Sequence, residues 1–224
     1  MPLSEVGKNL ELIEKELSPY KTKLLPVSKT FSVVRIMEAY HYGYKAFGEN
    51  RVQELLEKYN AMPKDVEWHL IGHLQSNKVK YISPFIALIH SVDSEKLLAE
   101  IDKQAAKAGR QMDCLLQVFI ATEETKFGWD IDEIKDWYGR NEIVKYKNIR
   151  IVGLMGMASN TQDEVLVRKE FSTLKALFDF LKQYDSLPNS RMETLSMGMS
   201  GDFKIAAEEG STLVRMGSAV FGLR

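Results

Sequence analysis

The sequence predicts an α/β protein, a single (β/α)8 barrel of the TIM type with an extra N-terminal helix. Short apolar runs alternate with amphipathic segments along the whole chain, and this alternation is typical of βαβ units. Most of the short runs are continuously apolar, as expected for parallel strands that are covered on both faces. Eight such runs favour a closed barrel. An open doubly wound sheet, built from the same repeats, is the alternative.

Each element follows from a local pattern. Residues 3–18 form an amphipathic helix, since their apolar side chains recur on one face. The predicted strands are 24–27, 44–48, 68–71, 85–90, 114–119, 149–154, 192–195 and 212–215. The predicted helices between them are 32–42, 50–60, 76–82, 94–108, 131–139, 163–183 and 200–209. Ser32 is expected to cap the first of these and Gly109 to end the fourth. No linker divides residues 1–224, so we expect one domain.

Composition excludes several classes of protein. The 224 residues are 45% hydrophobic and 27% charged, as in ordinary globular proteins. The net charge of −1 removes the usual electrostatic argument for binding nucleic acid or an anionic membrane. The single cysteine, Cys114, lies in an apolar run and excludes a disulfide framework. No signal peptide or membrane-spanning run is visible, so we expect a cytoplasmic protein.

Polar residues at the ends of the predicted strands are the candidates for function, because barrels bind ligands there. Two loops could hold a phosphate: residues 197–201 after the seventh strand, and Gly217 with Ser218 after the eighth. Glycine lets the backbone approach an oxyanion closely, and serine adds a hydroxyl. Ordinary strand-to-helix turns also favour glycine and serine, so the pattern alone leaves both readings open.

Two basic residues end apolar strands. Lys29 follows the first strand, where burial would favour a neutral, nucleophilic amine, although a lysine can also extend to solvent. Arg215 ends the last strand and needs a partner, either a ligand atom or a carboxylate such as Glu49. His69 and His73 are four residues apart but have no evident third ligand, so no metal site is predicted.

The chain resembles the YggS/PROSC-like pyridoxal phosphate homeostasis proteins, which share the barrel of the alanine racemase N-terminal domain. The resemblance covers nearly the whole chain and rests on six ordered blocks: residues 26–30, 47–54, 68–78, 153–157, 195–202 and 210–222. It implies pyridoxal 5′-phosphate (PLP) as cofactor. It assigns cofactor contacts to Lys29, Asn50, Met157, Met199, Ser200, Arg215, Gly217 and Ser218.

The resemblance also implies a role for each contact. Lys29 would form a Schiff base with the PLP aldehyde, and Arg215 would contact the pyridine nitrogen. The two serines, with the backbone of the residue before each, would hold the phosphate. Met157 would lie against the ring and Asn50 near its edge. The loop after the fifth strand, around Lys126, is more aromatic than in many relatives, and its role stays open.

The expected function is PLP binding for intracellular PLP homeostasis with little or no turnover. Racemases with this barrel take a second base from a β-rich domain, and the few residues after Phe221 leave no room for one. PLP-dependent apoenzymes are the expected recipients, and the chain is expected to be a monomer or a weak dimer. The alternatives are a PLP-dependent amino-acid racemase and a class I aldolase-like enzyme that forms its Schiff base on Lys29.

Overall fold

Eight parallel strands form one sheet in the computed structural model, which describes residues 3–122 and 127–222. The strands are β1 (Lys23–Pro26), β2 (Ala46–Glu49), β3 (Glu67–Leu70), β4 (Leu88–Val92), β5 (Met112–Gln117), β6 (Ile149–Met155), β7 (Ser190–Ser196) and β8 (Leu213–Met216). Their order in the sheet is β1-β8-β7-β6-β5-β4-β3-β2. Strands β2 to β8 therefore lie side by side in sequence order, and β8 also pairs with β1.

The two ends of this sheet meet. Val27 forms a parallel bridge with Gly48 just beyond β1 and β2, and the Ser28 N–H donates to the Gly48 carbonyl at 2.9 Å. A sheet joined in this way is a barrel, so the predicted (β/α)8 class is confirmed and the open doubly wound sheet is wrong.

Helices surround the barrel. Their bounds are α1 (Glu5–Leu17), α2 (Val33–Tyr42), α3 (Val52–Ala61), α4 (Val79–Ile82), α5 (Glu95–Ala108), α6 (Ile131–Gly139), α7 (Glu164–Leu181), α8 (Phe203–Glu208) and α9 (Ser218–Phe221). Ser32 caps α2 and Gly109 ends α5, as predicted. The extra helix α1 packs against α2 and α9, and the Asn9 side chain donates to the Val220 carbonyl at 3.0 Å.

Several predicted boundaries shift by two or three residues, and two of these shifts have a clear local cause. The strand predicted at 85–90 begins at Leu88, because the N–H groups of Phe85 and Ile86 both bond back to the Ile82 carbonyl at the end of α4. The helix predicted at 200–209 begins at Phe203. A tight turn precedes it, in which Asp202 and Phe203 both donate to the Met199 carbonyl.

The apolar core lies mainly between the strands and the helices, and a smaller cluster of Leu88, Leu115, Val152 and Met155 fills the barrel interior. Gly153 allows β6 to approach β7, since a Cβ there would lie 1.7 Å from the Thr194 carbonyl oxygen. Cys114 is buried and unpaired. Within the described ranges, no helix combines the length and apolar character that crossing a membrane requires.

Candidate functional site

A cavity of about 560 Å³ opens at the carboxyl ends of the strands, and we call it the mouth cavity. All eight residues selected from the sequence line it: Lys29, Asn50, Met157, Met199, Ser200, Arg215, Gly217 and Ser218. Val27, Ile71 and Gly201 complete its lining. The closed barrel brings together side chains from five strand ends that are far apart in sequence.

Lys29 projects from a segment that a buried lysine holds in place. Lys58 on α3 donates to the Ser28 carbonyl at 2.6 Å, to Glu49 at 2.6 Å and to Glu54 at 2.7 Å. Its side chain is 7% exposed and that of Glu49 is 0% exposed. Two carboxylates therefore balance one buried ammonium next to the half-buried Lys29.

The two carboxylates contact the residues on either side of Lys29. The Ser28 hydroxyl donates to Glu49 at 2.5 Å, and the Thr30 N–H donates to Glu54. Thr30 has a φ of 68°, a left-handed conformation that costs free energy for a β-branched residue. Burial raises the pKa of Glu49 despite its bonds to Lys58 and Ser28. Burial also acts to raise the pKa of Glu54, but its bonds to Lys58 and Thr30 outweigh that effect and lower it.

Arg215 is buried beneath the mouth cavity, and no carboxylate of the described residues is hydrogen-bonded to it. Its Nη1 donates to the carbonyl and the hydroxyl of Ser196 at 2.7 and 2.6 Å, and its Nη2 donates to the Gly156 carbonyl at 3.2 Å. Burial lowers the pKa of Arg215 to about 10, although the charge of Asp202 acts in the other direction. The alternative that Arg215 pairs with Glu49 is wrong, because Glu49 is bound to Lys58 and Ser28.

The two loops after β7 and β8 present unused backbone donors. The N–H groups of Ser200, Gly201, Gly217 and Ser218 form no hydrogen bond within the described parts of the chain. The Met199 N–H differs, because it donates to the Asp202 carboxylate at 2.5 Å. The serine hydroxyls and these four N–H groups can therefore donate hydrogen bonds to an anion, whereas the Met199 N–H already donates to Asp202.

Asn50 reaches the cavity because residue 72 is glycine. A Cβ at Gly72 would lie 2.6 Å from Asn50 Oδ1 and 2.3 Å from the Asn50 carbonyl oxygen, so any larger residue would displace Asn50. On the other side of the mouth, Met157 and Met199 are 43% and 40% exposed. Lys126 lies outside the described residues.

Comparison with known proteins adds the family to this geometry. The alanine racemase N-terminal domain family matches residues 2–224. The pyridoxal phosphate homeostasis protein of Aquifex aeolicus (strain VF5) is 43% identical over 204 residues, which cover 90% of this chain and 87% of that protein. The protein of the same name from Pasteurella multocida (strain Pm70) is 35% identical over 227 residues, covering 99% of this chain and 96% of that protein.

This chain belongs to the pyridoxal phosphate homeostasis protein family.

Solved structures of this family share the barrel. PipY of Synechococcus elongatus PCC7942, solved without PLP, is 34% identical and has a TM-score of 0.89, covering 97% of this chain and 100% of that chain. PipY solved with PLP bound has a TM-score of 0.85 at 33% identity. Alanine racemase from Bartonella henselae, at 18% identity and a TM-score of 0.72, shares the fold, and this chain covers 58% of it.

Several polar residues near the mouth cavity were not predicted from the sequence. Lys58 lies on a helix and looks like a surface lysine in sequence, and Glu54 looks like an ordinary helical carboxylate. His90 and Ser91 interrupt the otherwise apolar β4, and His90 lies 3.0 Å from the Ser196 hydroxyl. Two polar residues inside a buried strand were the available signal for His90. The described residues contain no group of side chains that could hold a metal ion.

Proposed function

We propose that this protein binds PLP in the mouth cavity, holds it as a Schiff base on Lys29, and serves intracellular PLP homeostasis. The observation that carries the proposal is the convergence of an amine, a buried guanidinium and two serine loops on one cavity of about 560 Å³. A cavity of this size suits a small cofactor. The PLP-bound structure of PipY, at 33% identity, supports the same assignment.

The residues present fit the chemical groups of PLP. Ser200 and Ser218, with their free backbone N–H groups, would hold the phosphate. Lys29 would supply the amine for the aldehyde, with loss of water. Arg215 has further N–H donors beyond its three hydrogen bonds, and these would serve the pyridine nitrogen.

The lining of the mouth cavity favours binding over turnover. When bound, PLP supplies an electron sink for amino-acid chemistry. A guanidinium at the ring nitrogen would weaken that sink, because its positive charge disfavours protonation of the nitrogen. Racemisation by two bases needs a second proton acceptor opposite Lys29. Among the described lining residues there is no aspartate, glutamate, histidine, cysteine or tyrosine. Lys29 is thus the one group in that lining suited to act as a base.

The rim of the mouth cavity is apolar and open, which suits transfer of the cofactor to other proteins. Met157 and Met199 in its lining are 43% and 40% exposed. Both also line a smaller adjoining cavity of about 230 Å³, together with Phe127, which is 60% exposed. We propose PLP-dependent apoenzymes as recipients, since they need the cofactor and can approach this rim.

Absorption of purified protein with added PLP tests the covalent link. The wild type should show a band at about 420 nm that disappears on borohydride reduction, with a phosphopyridoxyl group on the Lys29 peptide by mass analysis. Lys29→Ala should lose the band and the adduct. Lys23→Ala, at the amino-terminal end of the strand that Lys29 follows, should keep both. Mixing the loaded wild type with an apoenzyme should restore that enzyme's activity.

Two results would count against the proposal. A Lys29→Ala variant that keeps the band would move the covalent link to another amine. A wild type that takes up no PLP but is trapped on Lys29 by borohydride with a sugar phosphate would instead support the aldolase-like alternative.

A further inference from the structure

A chain of four buried or half-buried polar side chains runs through the barrel interior. His69 Nδ1 lies 3.1 Å from His90 Nε2, and His90 Nδ1 lies 3.0 Å from the Ser196 hydroxyl. Arg215 Nη1 lies 2.6 Å from the same hydroxyl. His90, Ser196 and Arg215 are at most 4% exposed. The chain therefore links strands β3, β4, β7 and β8 inside the barrel.

The two ends of the chain open on different cavities. Arg215 lines the mouth cavity. His69 lines a second cavity of about 560 Å³ at the amino-terminal ends of the strands, whose walls also include Lys23, Glu67 and Glu193. The two histidines are therefore placed between the proposed cofactor site and the opposite side of the barrel.

Hydrogen-bond accounting gives the chain one direction. A guanidinium can only donate, so the Ser196 oxygen accepts from Arg215. Among the described residues, His90 Nδ1 is the one acceptor within hydrogen-bonding distance of the Ser196 hydroxyl proton, so the hydroxyl donates to it. A neutral imidazole has one donor and one acceptor nitrogen. His90 must then donate from Nε2 to His69 Nδ1, which leaves Nε2–H as the remaining donor of His69. Both histidines therefore carry their proton on Nε2.

The direction of the chain suits the charge at its end. Burial lowers the pKa of His69 to about 4, and burial with the charges of His69 and Arg215 lowers that of His90 well below its usual value. Neutral side chains with their lone pairs turned toward Arg215 stabilise this buried cation, to which no carboxylate of the described residues is hydrogen-bonded. Asp202 is the acidic residue whose charge acts on Arg215.

We propose that His90 and Ser196 are positioning residues for Arg215, with His69 fixing the tautomer of His90. The chain holds the guanidinium in the orientation in which its remaining donors meet the pyridine nitrogen; this part rests on the proposed function. The Ser196 carbonyl and the Gly156 carbonyl fix the position of Arg215, and the hydroxyl and the histidines fix its hydrogen-bond pattern.

The chain is tested first in protein without cofactor. Nitrogen NMR of ¹⁵N-histidine-labelled protein, assigned with single histidine variants, should show His69 and His90 as neutral Nε2–H tautomers at neutral pH. Ser196→Ala removes the donor to His90 Nδ1 and should shift the His90 signals, while Ser196→Thr keeps the hydroxyl and should restore them. An Nδ1–H tautomer of His90 in the wild type would overturn the proposal.

The effect on the cofactor is tested with the same variants. Ser196→Ala should bind PLP about tenfold more weakly, as expected for losing one hydrogen bond to a charged group, with a shifted pH profile of the bound absorption band. Ser190→Ala, a buried serine on the same strand outside the chain, should match the wild type. Equal affinity and spectra for the two alanine variants would refute the positioning role. If the wild type takes up no PLP, the proposed function fails. The tautomers of His69 and His90 in the cofactor-free protein still test whether the hydrogen-bonded chain to Arg215 exists.

Discussion

At the scale of single residues, the feature that most affects this site is a lysine that does not contact the mouth cavity. Lys58 is 7% exposed and bonds to the Ser28 carbonyl, Glu49 and Glu54. Glu49 and Glu54 in turn bond to Ser28 and Thr30, the residues on either side of Lys29. The position of the proposed cofactor lysine therefore depends on an ion-pair network that does not itself contact the mouth cavity.

Lys58→Met should be strongly destabilising. It leaves two carboxylates without their cation in a buried setting, which costs about 3–5 kcal/mol of the free energy of unfolding. Urea denaturation measures this loss, with Lys169→Met on the exposed face of α7 as the control, for which we expect a change within about 0.5 kcal/mol. Similar losses in the two variants would show that the network contributes no specific stability.

At the scale of elements, the contact between β6 and β7 is unusually close. Their register shifts between Ile151 and Gly153, and Gly153 has a φ of 151°. The Thr194 carbonyl occupies the space of a side chain at this position. A glycine is thus required where the two strands that lead into the Met157 and Ser200 loops come together.

Gly153→Ala should destabilise the barrel by more than about 3 kcal/mol, because the new methyl group would overlap the Thr194 backbone and force the strands apart. Gly139→Ala at the end of α6 is the matched control, since its Cβ would approach nothing closer than 3.9 Å. Thermal and urea unfolding compare the two. A Gly153→Ala protein as stable as the control would contradict the close approach of β6 and β7.

At the scale of the whole molecule, the buried histidines make stability depend on pH. The folded state holds the pKa of His69 near 4 and lowers that of His90 well below its usual value, whereas the unfolded chain has histidine pKa values of about 6.5. Between these values the unfolded state binds more protons. The contribution of the two histidines to the free energy of unfolding is therefore fully present above about pH 6.5 and is lost as the pH falls below it.

The free energy of unfolding should fall by up to roughly 1.4 kcal/mol per pH unit for each buried histidine between about pH 6 and about pH 5. The raised pKa of Glu49 has the opposite effect, because it makes the folded state more stable as the pH falls. The histidine effect is therefore measured as the difference between the wild type and His69→Gln. Urea titrations over this interval should give a shallower slope for that variant. A slope equal to that of the wild type would mean that His69 is not held neutral by the fold.

The sequence by itself determined the α/β class with parallel strands, because the alternation of apolar runs with amphipathic segments is a local property of the chain. It favoured the closed barrel over the open doubly wound sheet, and the bridge between Val27 and Gly48 decided between them. It also identified Lys29 and the Ser200 and Ser218 loops, since residues at strand ends can be located once the strands are known. The cofactor came from the resemblance, and composition or periodicity could not have named it.

Only the tertiary structure decided which polar residues act together. His90 and Ser196 are 106 positions apart, and they meet because the closed barrel turns both side chains inward. Arg215 likewise bonds to Ser196 on the neighbouring strand β7. Glu49 is on β2, across β1 from Arg215, and bonds to Lys58. Partner choice inside a barrel is set by which face of each strand points inward and by how the sheet closes, and neither is written in the local pattern of a single segment.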